Sequence, residues 1–234
     1  MLGGNDYPHD EKTFFWNDSG AGDTAYQPYR TRIFFDRDNR IHVTWVVDDG
    51  NGSPGYHTHV LYGYSDDGGD TFKRADGSQY ETLPITLESA DVVVGSDWTG
   101  SDGSLWYTSY VGVTAQGYPA VSFADNNNDS AWWSLWRPGV GWSTPARLPF
   151  EYIPARILTD ANGIITAVDG HNKLHRSFNN GANWLPYHVE TLGIHSTNFD
   201  YTYLLETGNL RFQTYSTTSG KVKVWTVGFA VNKT

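Results

Sequence analysis

Cysteine is absent from this 234-residue chain. That excludes disulfides and thiolate metal sites; it leaves the compartment open, although it suits a secreted bacterial protein. Charge is sparse and leans to one sign, with 16 Lys and Arg against 26 Asp and Glu and a net charge of −10. With no basic run, nucleic acid is not expected as a partner. An acidic protein that handles an anionic polymer needs a local cationic pocket, so its few arginines become informative. No apolar run approaches the roughly 18 residues of a membrane span, and no membrane association is expected. No secretory leader is visible, and Met1-Leu2-Gly3-Gly4 is expected to mark a gene-fragment start.

Aromatic residues and turn formers fill the space left. Ten Trp and fifteen Tyr favour strands, where aromatic side chains fit the pleat, and 25 Gly with many Asn and Asp supply turns. The length suits a single domain. One unit recurs: apolar strand, Asp/Asn/Gly turn, second strand. Its copies span 32–47, 108–124, 154–170 and 200–216. The turn positions Asn39, Gly117, Gly163 and Gly208 lie 78, 46 and 45 residues apart. Two periods in the mid-forties are those of four-stranded propeller blades. The longer first interval is assigned to an insertion around Asp76–Ser104. No amphipathic helix is expected. The expected fold is all-β, a β-propeller of four-stranded blades, four to five in number and either closed on themselves or part of a larger ring, with blades near 29–78, 105–148, 152–190 and 196–232. A polar arm of residues 1–28 precedes it, with a possible strand at Thr13–Trp16.

The octet Ser65-Asp66-Asp67-Gly68-Gly69-Asp70-Thr71-Phe72 fits Ser-x-Asp-x-Gly-x-Thr-aromatic, an Asp-box, and Ser177 to Trp184 is a looser copy. Ser and Asp side chains bond nearby backbone, and glycines allow positive φ. Joining strands three and four, these turns belong to the face opposite the usual propeller pocket, so their carboxylates are read as structural. The pocket face instead takes the ends of the innermost strands and loops such as Asp48–His57, Glu151–Tyr152, Asp169–Asn172, Ile194–Asn198 and Tyr215–Gly220.

Arg32-Ile-Phe-Phe-Asp36, Asn39-Arg-Ile-His-Val-Thr-Trp45 and Tyr62-Gly-Tyr-Ser-Asp-Asp-Gly-Gly69 together resemble the BNR-repeat, sialidase-like propeller family, which includes polysaccharide lyases of the ulvan-lyase kind. Gln116-Gly117-Tyr-Pro119-Ala-Val121 resembles its next blade and Val222–Val231 its last strand. The resemblance runs from about Tyr29 and corresponds to the C-terminal half of those longer proteins. It implies a catalytic His pair and a Tyr–Arg pair mainly in upstream blades, with echoes here at His171-Asn172 and Tyr201/Tyr203. Where the family's catalytic Arg would fall stands Tyr215, and its Asn-His-Asp reads His57-Thr58-His59.

A lyase acting on a uronate polymer neutralises the carboxylate, removes the C5 proton and protonates the leaving oxygen. Arg, His and Tyr are the fitting types. Tyr29, Arg30, His57 and His59 are therefore the candidate catalytic set, against a reading as surface-loop residues. His57 and His59 share one side of an extended segment, which also suits two metal ligands such as for Zn²⁺. Arg32 at the innermost strand either meets an anionic sugar or pairs with Asp36 or a neighbouring blade. Tyr152, His171, His195 and Tyr215 complete the candidate substrate-binding set. His42 and His175 read as satisfied strand residues. Asp125-Asn-Asn-Asn-Asp129 is either a plain turn or an oxygen cage for Ca²⁺. A sialidase-like hydrolase needs three arginines, for which Arg30 or Arg32, Arg156 and Arg211 are available. The leading expectation is a secreted lyase of an acidic polysaccharide; the alternatives are a non-catalytic glycan-binding propeller, a partial propeller completed by a second chain or copy, and the hydrolase.

Overall fold

The computed structural model describes residues 14–15, 27–48, 57–98, 105–125, 130–149, 156–169, 173–187, 197–216 and 220–229. Blade 1 contains β1 (Gln27–Phe35), β2 (Ile41–Asp48), β3 (His57–Ser65) and β4 (Asp91–Val94). Blade 2 contains β5 (Leu105–Val113), β6 (Pro119–Asp125) and β7 (Ser130–Arg137), with β8 (Gly141–Trp142) and β9 (Ala146–Arg147) both on the outer edge of β7. Blade 3 is β10 (Arg156–Thr159), β11 (Ile165–Val168), β12 (Leu174–Ser177) and β13 (Leu185–Tyr187). Blade 4 is β14 (Thr197–Phe199), β15 (Leu210–Ser216) and β16 (Lys221–Val227). Every pairing within a blade is antiparallel, and a single bridge between His57 and Leu105 joins blades 1 and 2.

The inner hairpins turn the same way for the same reason. Asp36 Oδ1 accepts the Asp38 and Arg40 amides at 2.8 and 2.9 Å, and Asp160 Oδ1 accepts those of Asn162 and Ile164 at 2.9 and 3.1 Å. Thr114 Oγ1 does part of this work in blade 2, accepting from Tyr118 N at 3.1 Å. The turn residues Asn39, Gly117 and Gly163 have φ of 60°, 80° and 81°. The second carboxylate oxygen of each Asp takes a base from its own blade: Asp36 Oδ2 lies 3.2 Å from His42 Nε2, and Asp160 Oδ2 accepts from Arg176 Nη2 at 2.8 Å.

Blade 4 departs from the expected strand–turn–strand. Tyr201–Thr207 forms a helix, α1, because Asp200 caps it by accepting from Tyr203 N at 2.9 Å and Gly208, at φ 69°, ends it in the left-handed region. The expectation of no helix is thus corrected, and Gly208 is a helix cap rather than a hairpin turn.

Apolar residues meet at each blade junction. Val46, Val60, Tyr62, Val111, Val121 and Phe123 bury the first, and Ala120, Trp133, Leu135, Ile157 and Ile165 the second. Leu158, Val168, Leu174, Leu210 and Phe212 bury the third. Each fully buried aliphatic contributes about 1.5–3 kcal/mol, so these seams stabilise the docking of one blade on the next. The far face of blade 1 is closed differently. Val43, Trp45, Val47 and Leu61 are covered by Tyr80, Leu83, Ile85 and Leu87 of the segment after the Asp-box and by Phe15, which bridges Ile85. The segment expected as an insertion is therefore part of blade 1, and its end supplies β4.

Candidate functional site: an arginine cleft on the inner strands

β5 lies between β1 and β10. A side chain on Gly112 would collide with the Ile157 carbonyl, so glycine there is what lets β5 and β10 approach. That approach brings Tyr110 of β5 against Arg32 of β1 and Arg156 of β10. Both guanidinium carbons lie over the Tyr110 ring, at 5.1 and 5.0 Å from its centroid, within cation–π range. Arg156 also lies 5.4 Å from the Phe199 centroid. These side chains line a cleft of about 560 Å³ together with Phe34 and Tyr201.

Among the described residues neither Arg32 nor Arg156 forms an ion pair, and Arg32 Nε is buried without a hydrogen-bond partner. Burial pushes the Arg156 guanidinium below its ordinary value, Tyr110 pulls it back up, and Arg32 adds to the depression. Two cations held together beside a buried N–H supply the chemistry that an anion requires, and a planar carboxylate suits the guanidinium fork. Arg32 is not held by Asp36, whose carboxylate is occupied by His42 and its own turn. Tyr201, in edge-to-face contact with Phe34 at 4.8 Å, has its hydroxyl pKa pushed up to about 12 by burial.

None of Tyr29, Arg30, His57 and His59 is among the residues that line the cleft, and two irregularities set which way they face. On β1, Tyr29 pairs with Val46 but Arg32 with Thr44, so one extra residue is inserted, and Arg30 adopts φ 44°. A bulge of this kind re-aims the strand, and here it puts Tyr29 on the same face as Arg32 although their numbers differ in parity. On β3, His57 pairs with Asp48 and His59 with Val47, so Thr58 is the extra residue. Strict alternation would place both histidines on one side; the bulge instead divides them. His57 joins Tyr29, with ring centroids 5.1 Å apart. His59 bonds Thr58 Oγ1 at 2.8 Å, and burial lowers its pKa against the opposing pull of Asp97. The shared side expected for the two is corrected, and with it the geometry of a two-histidine metal site. Among the described residues no cluster of three metal-ligating side chains occurs; of the Asp125–Asp129 run, only Asp125 is described.

Tyr152, His171 and His195 lie outside the described residues, and for Tyr215 only the backbone, in β15, is described. Arg211 is held 3.5 Å from Asp200 and stacks on Tyr203 at 3.6 Å, and it is not among the residues that line the cleft. The three-arginine arrangement is thus reduced to two among the described residues. Tyr110 and Phe199 were not singled out by any motif. The one available signal for Tyr110 was its place in the second copy of the repeat, two residues before Gly112.

Residues 5–146 match the profile of the BNR repeat-containing family. The chain belongs to that family, and its fold is that of a β-propeller. Among solved structures it is similar to polysaccharide lyase Uly1, with TM-score 0.59 and 13% identity over 86% of this chain and 45% of that one. It is also similar to Trypanosoma rangeli sialidase in complex with the inhibitor DANA, with TM-score 0.51 and 13% identity over 92% of this chain and 39% of that one. The chain spans less than half the length of either neighbour, and at these identities the likeness is one of fold. No curated protein matches.

Proposed function

We propose that the chain is a carbohydrate-active propeller that binds an acidic glycan in the arginine cleft and cleaves it by β-elimination. The observation that carries this reading is the pair Arg32 and Arg156, set on one tyrosine ring without a carboxylate partner among the described residues. A uronate carboxylate bound there has its charge drawn off, which acidifies the C5 proton. Removal of that proton forms the C4–C5 double bond as the C4–oxygen bond breaks, and the leaving oxygen takes up a proton. Tyr29 and His57, in ring contact on the face of Arg32, are assigned to the proton transfers. Arg30, at the bulge beside Tyr29, is assigned to the rim, and His59, on the opposite face of β3, takes no part.

A non-catalytic glycan-binding module is the second reading, favoured by the division of His57 from His59. The hydrolase ranks below both, since Arg211 is engaged by Asp200. Incubating the protein with a series of uronate polymers and following the ultraviolet absorbance of the unsaturated product separates the first two. Absorbance is expected to rise with at least one polymer, and His57→Ala to slow the rise about 10²-fold or more. Arg156→Ala is expected to weaken glycan binding by about tenfold or more. Binding without any absorbance rise leaves the module and removes the lyase.

A further inference from the structure

Between blades 1 and 2, at the end that carries the inner hairpin turns, lies a wedge of about 190 Å³. It is separate from the arginine cleft, with no lining residue in common. Its floor is polar and fully enclosed: Tyr62 is 0% exposed and its hydroxyl lies 2.7 Å from His42 Nδ1. Above this the walls are aromatic. Tyr64 stacks on His42 at 5.9 Å and 24°, and Tyr118 meets Trp136 edge to face at 5.8 Å. All three of Tyr64, Tyr118 and Trp136 are half-buried, so they keep surface to offer.

The rim adds both kinds of hydrogen-bonding group. Arg40 of blade 1 reaches across to the blade 2 turn, its Nη1 lying 3.6 Å from where a Cβ on Gly117 would stand. Its guanidinium forms no ion pair among the described residues. Asp76, fixed by the Ser78 amide at 2.8 Å, supplies a carboxylate, and Gln116 supplies an exposed amide.

We propose that this wedge is a second carbohydrate site, for a single pyranose with free vicinal hydroxyls. Aromatic walls accept the C–H face of a sugar ring, and hydroxyls that both donate and accept need a rim that does the same. A cation and a carboxylate on one rim favour a ring by its hydroxyls rather than by a net charge. The volume lies below the roughly 300–1,000 Å³ of ordinary ligand pockets, which limits the occupant to one ring of a longer chain. The site holds the polymer at a point outside the arginine cleft, and the inference stands whether or not that cleft catalyses.

The test is isothermal titration of the whole chain with cellotetraose, xylotetraose and a uronate tetrasaccharide. At least one probe is expected to bind, and Arg40→Gln and Tyr118→Ala are each expected to weaken that binding about tenfold. The double variant Arg32→Ala/Arg156→Ala should leave this component unchanged while losing the acidic-glycan component. Circular dichroism identifies a variant that does not fold, and Arg40→Gln, at a half-buried rim position, keeps the test available in that case. Unchanged affinity in both wedge variants, loss only in the arginine double variant, or no binding of any probe overturns the proposal.

Discussion

The two Asp-boxes have one hydrogen-bond plan and rest on different things. In the first, Ser65 Oγ donates to Asp67 Oδ1 at 2.7 Å and accepts from Gly69 N at 2.8 Å, while Thr71 N donates to Asp67 at 2.9 Å. In the second, Ser177 Oγ donates to Asn179 Oδ1 at 3.1 Å and accepts from Gly181 N at 2.7 Å, while Asn183 N donates to Asn179 at 2.9 Å. The loop geometry thus survives replacement of the carboxylate by an amide. What differs is the support. Trp184, closing the second box, packs edge to face on Trp133 of the preceding blade at 5.8 Å. Phe72, closing the first, packs on Phe14 at 4.4 Å. Phe14 therefore covers the aromatic that in blade 3 is covered by a neighbouring blade.

Glycine substitutions separate the two environments most sharply. A Cβ on Gly181 would fall inside the Trp133 indole, whereas one on Gly69 meets nothing within 4 Å. Both have positive φ, 84° and 100°. Gly181→Ala is therefore expected to cost about 3–5 kcal/mol, overpacking added to strain, and Gly69→Ala only about 1–2. Equal shifts in the urea midpoint would erase the comparison. Removing the serine hydroxyls probes what the boxes share. Ser65 and Ser177 are both 0% exposed, so Ser65→Ala and Ser177→Ala should each cost about 1–3 kcal/mol and agree with one another.

The smallest expected effect is on pH dependence. Hydrogen bonds, from Thr71 first and then Ser65, hold Asp67 well below the ordinary carboxylate range. A group with a depressed folded pKa contributes stability above its unfolded pKa and loses it as pH falls through the folded value. Acid should therefore loosen the first box and not the second, where Asn179 does not titrate. Amide exchange at Gly69 and Thr71, compared with Gly181 and Asn183 from pH 5 downward, measures this; Asp67→Asn should abolish the difference.

Much of this was legible in the chain. Ser and Asp at fixed offsets, with glycine where φ must be positive, describe a local structure that needs nothing from elsewhere, and both boxes and the Asp36 and Asp160 turns follow from them. Arg32 could be assigned to the inner strand because the repeat itself defines that strand. The facing of Tyr29, His57 and His59 could not be read, since a one-residue bulge reverses every parity beyond it and leaves no mark in composition. α1 was missed although Asp200 and Gly208 bracket it, because the repeat argued for a strand across the same residues. Tyr110 was missed for a different reason: its importance comes from two arginines on other blades.

That last point bears on how such a site arises. Arg32, Tyr110 and Arg156 come from blades 1, 2 and 3, one residue each. Duplicating a blade copies a strand, a turn and a box, yet it carries only one third of this cleft. The scaffold can grow by repetition, whereas the cleft has to be assembled by separate substitutions in neighbours that began alike.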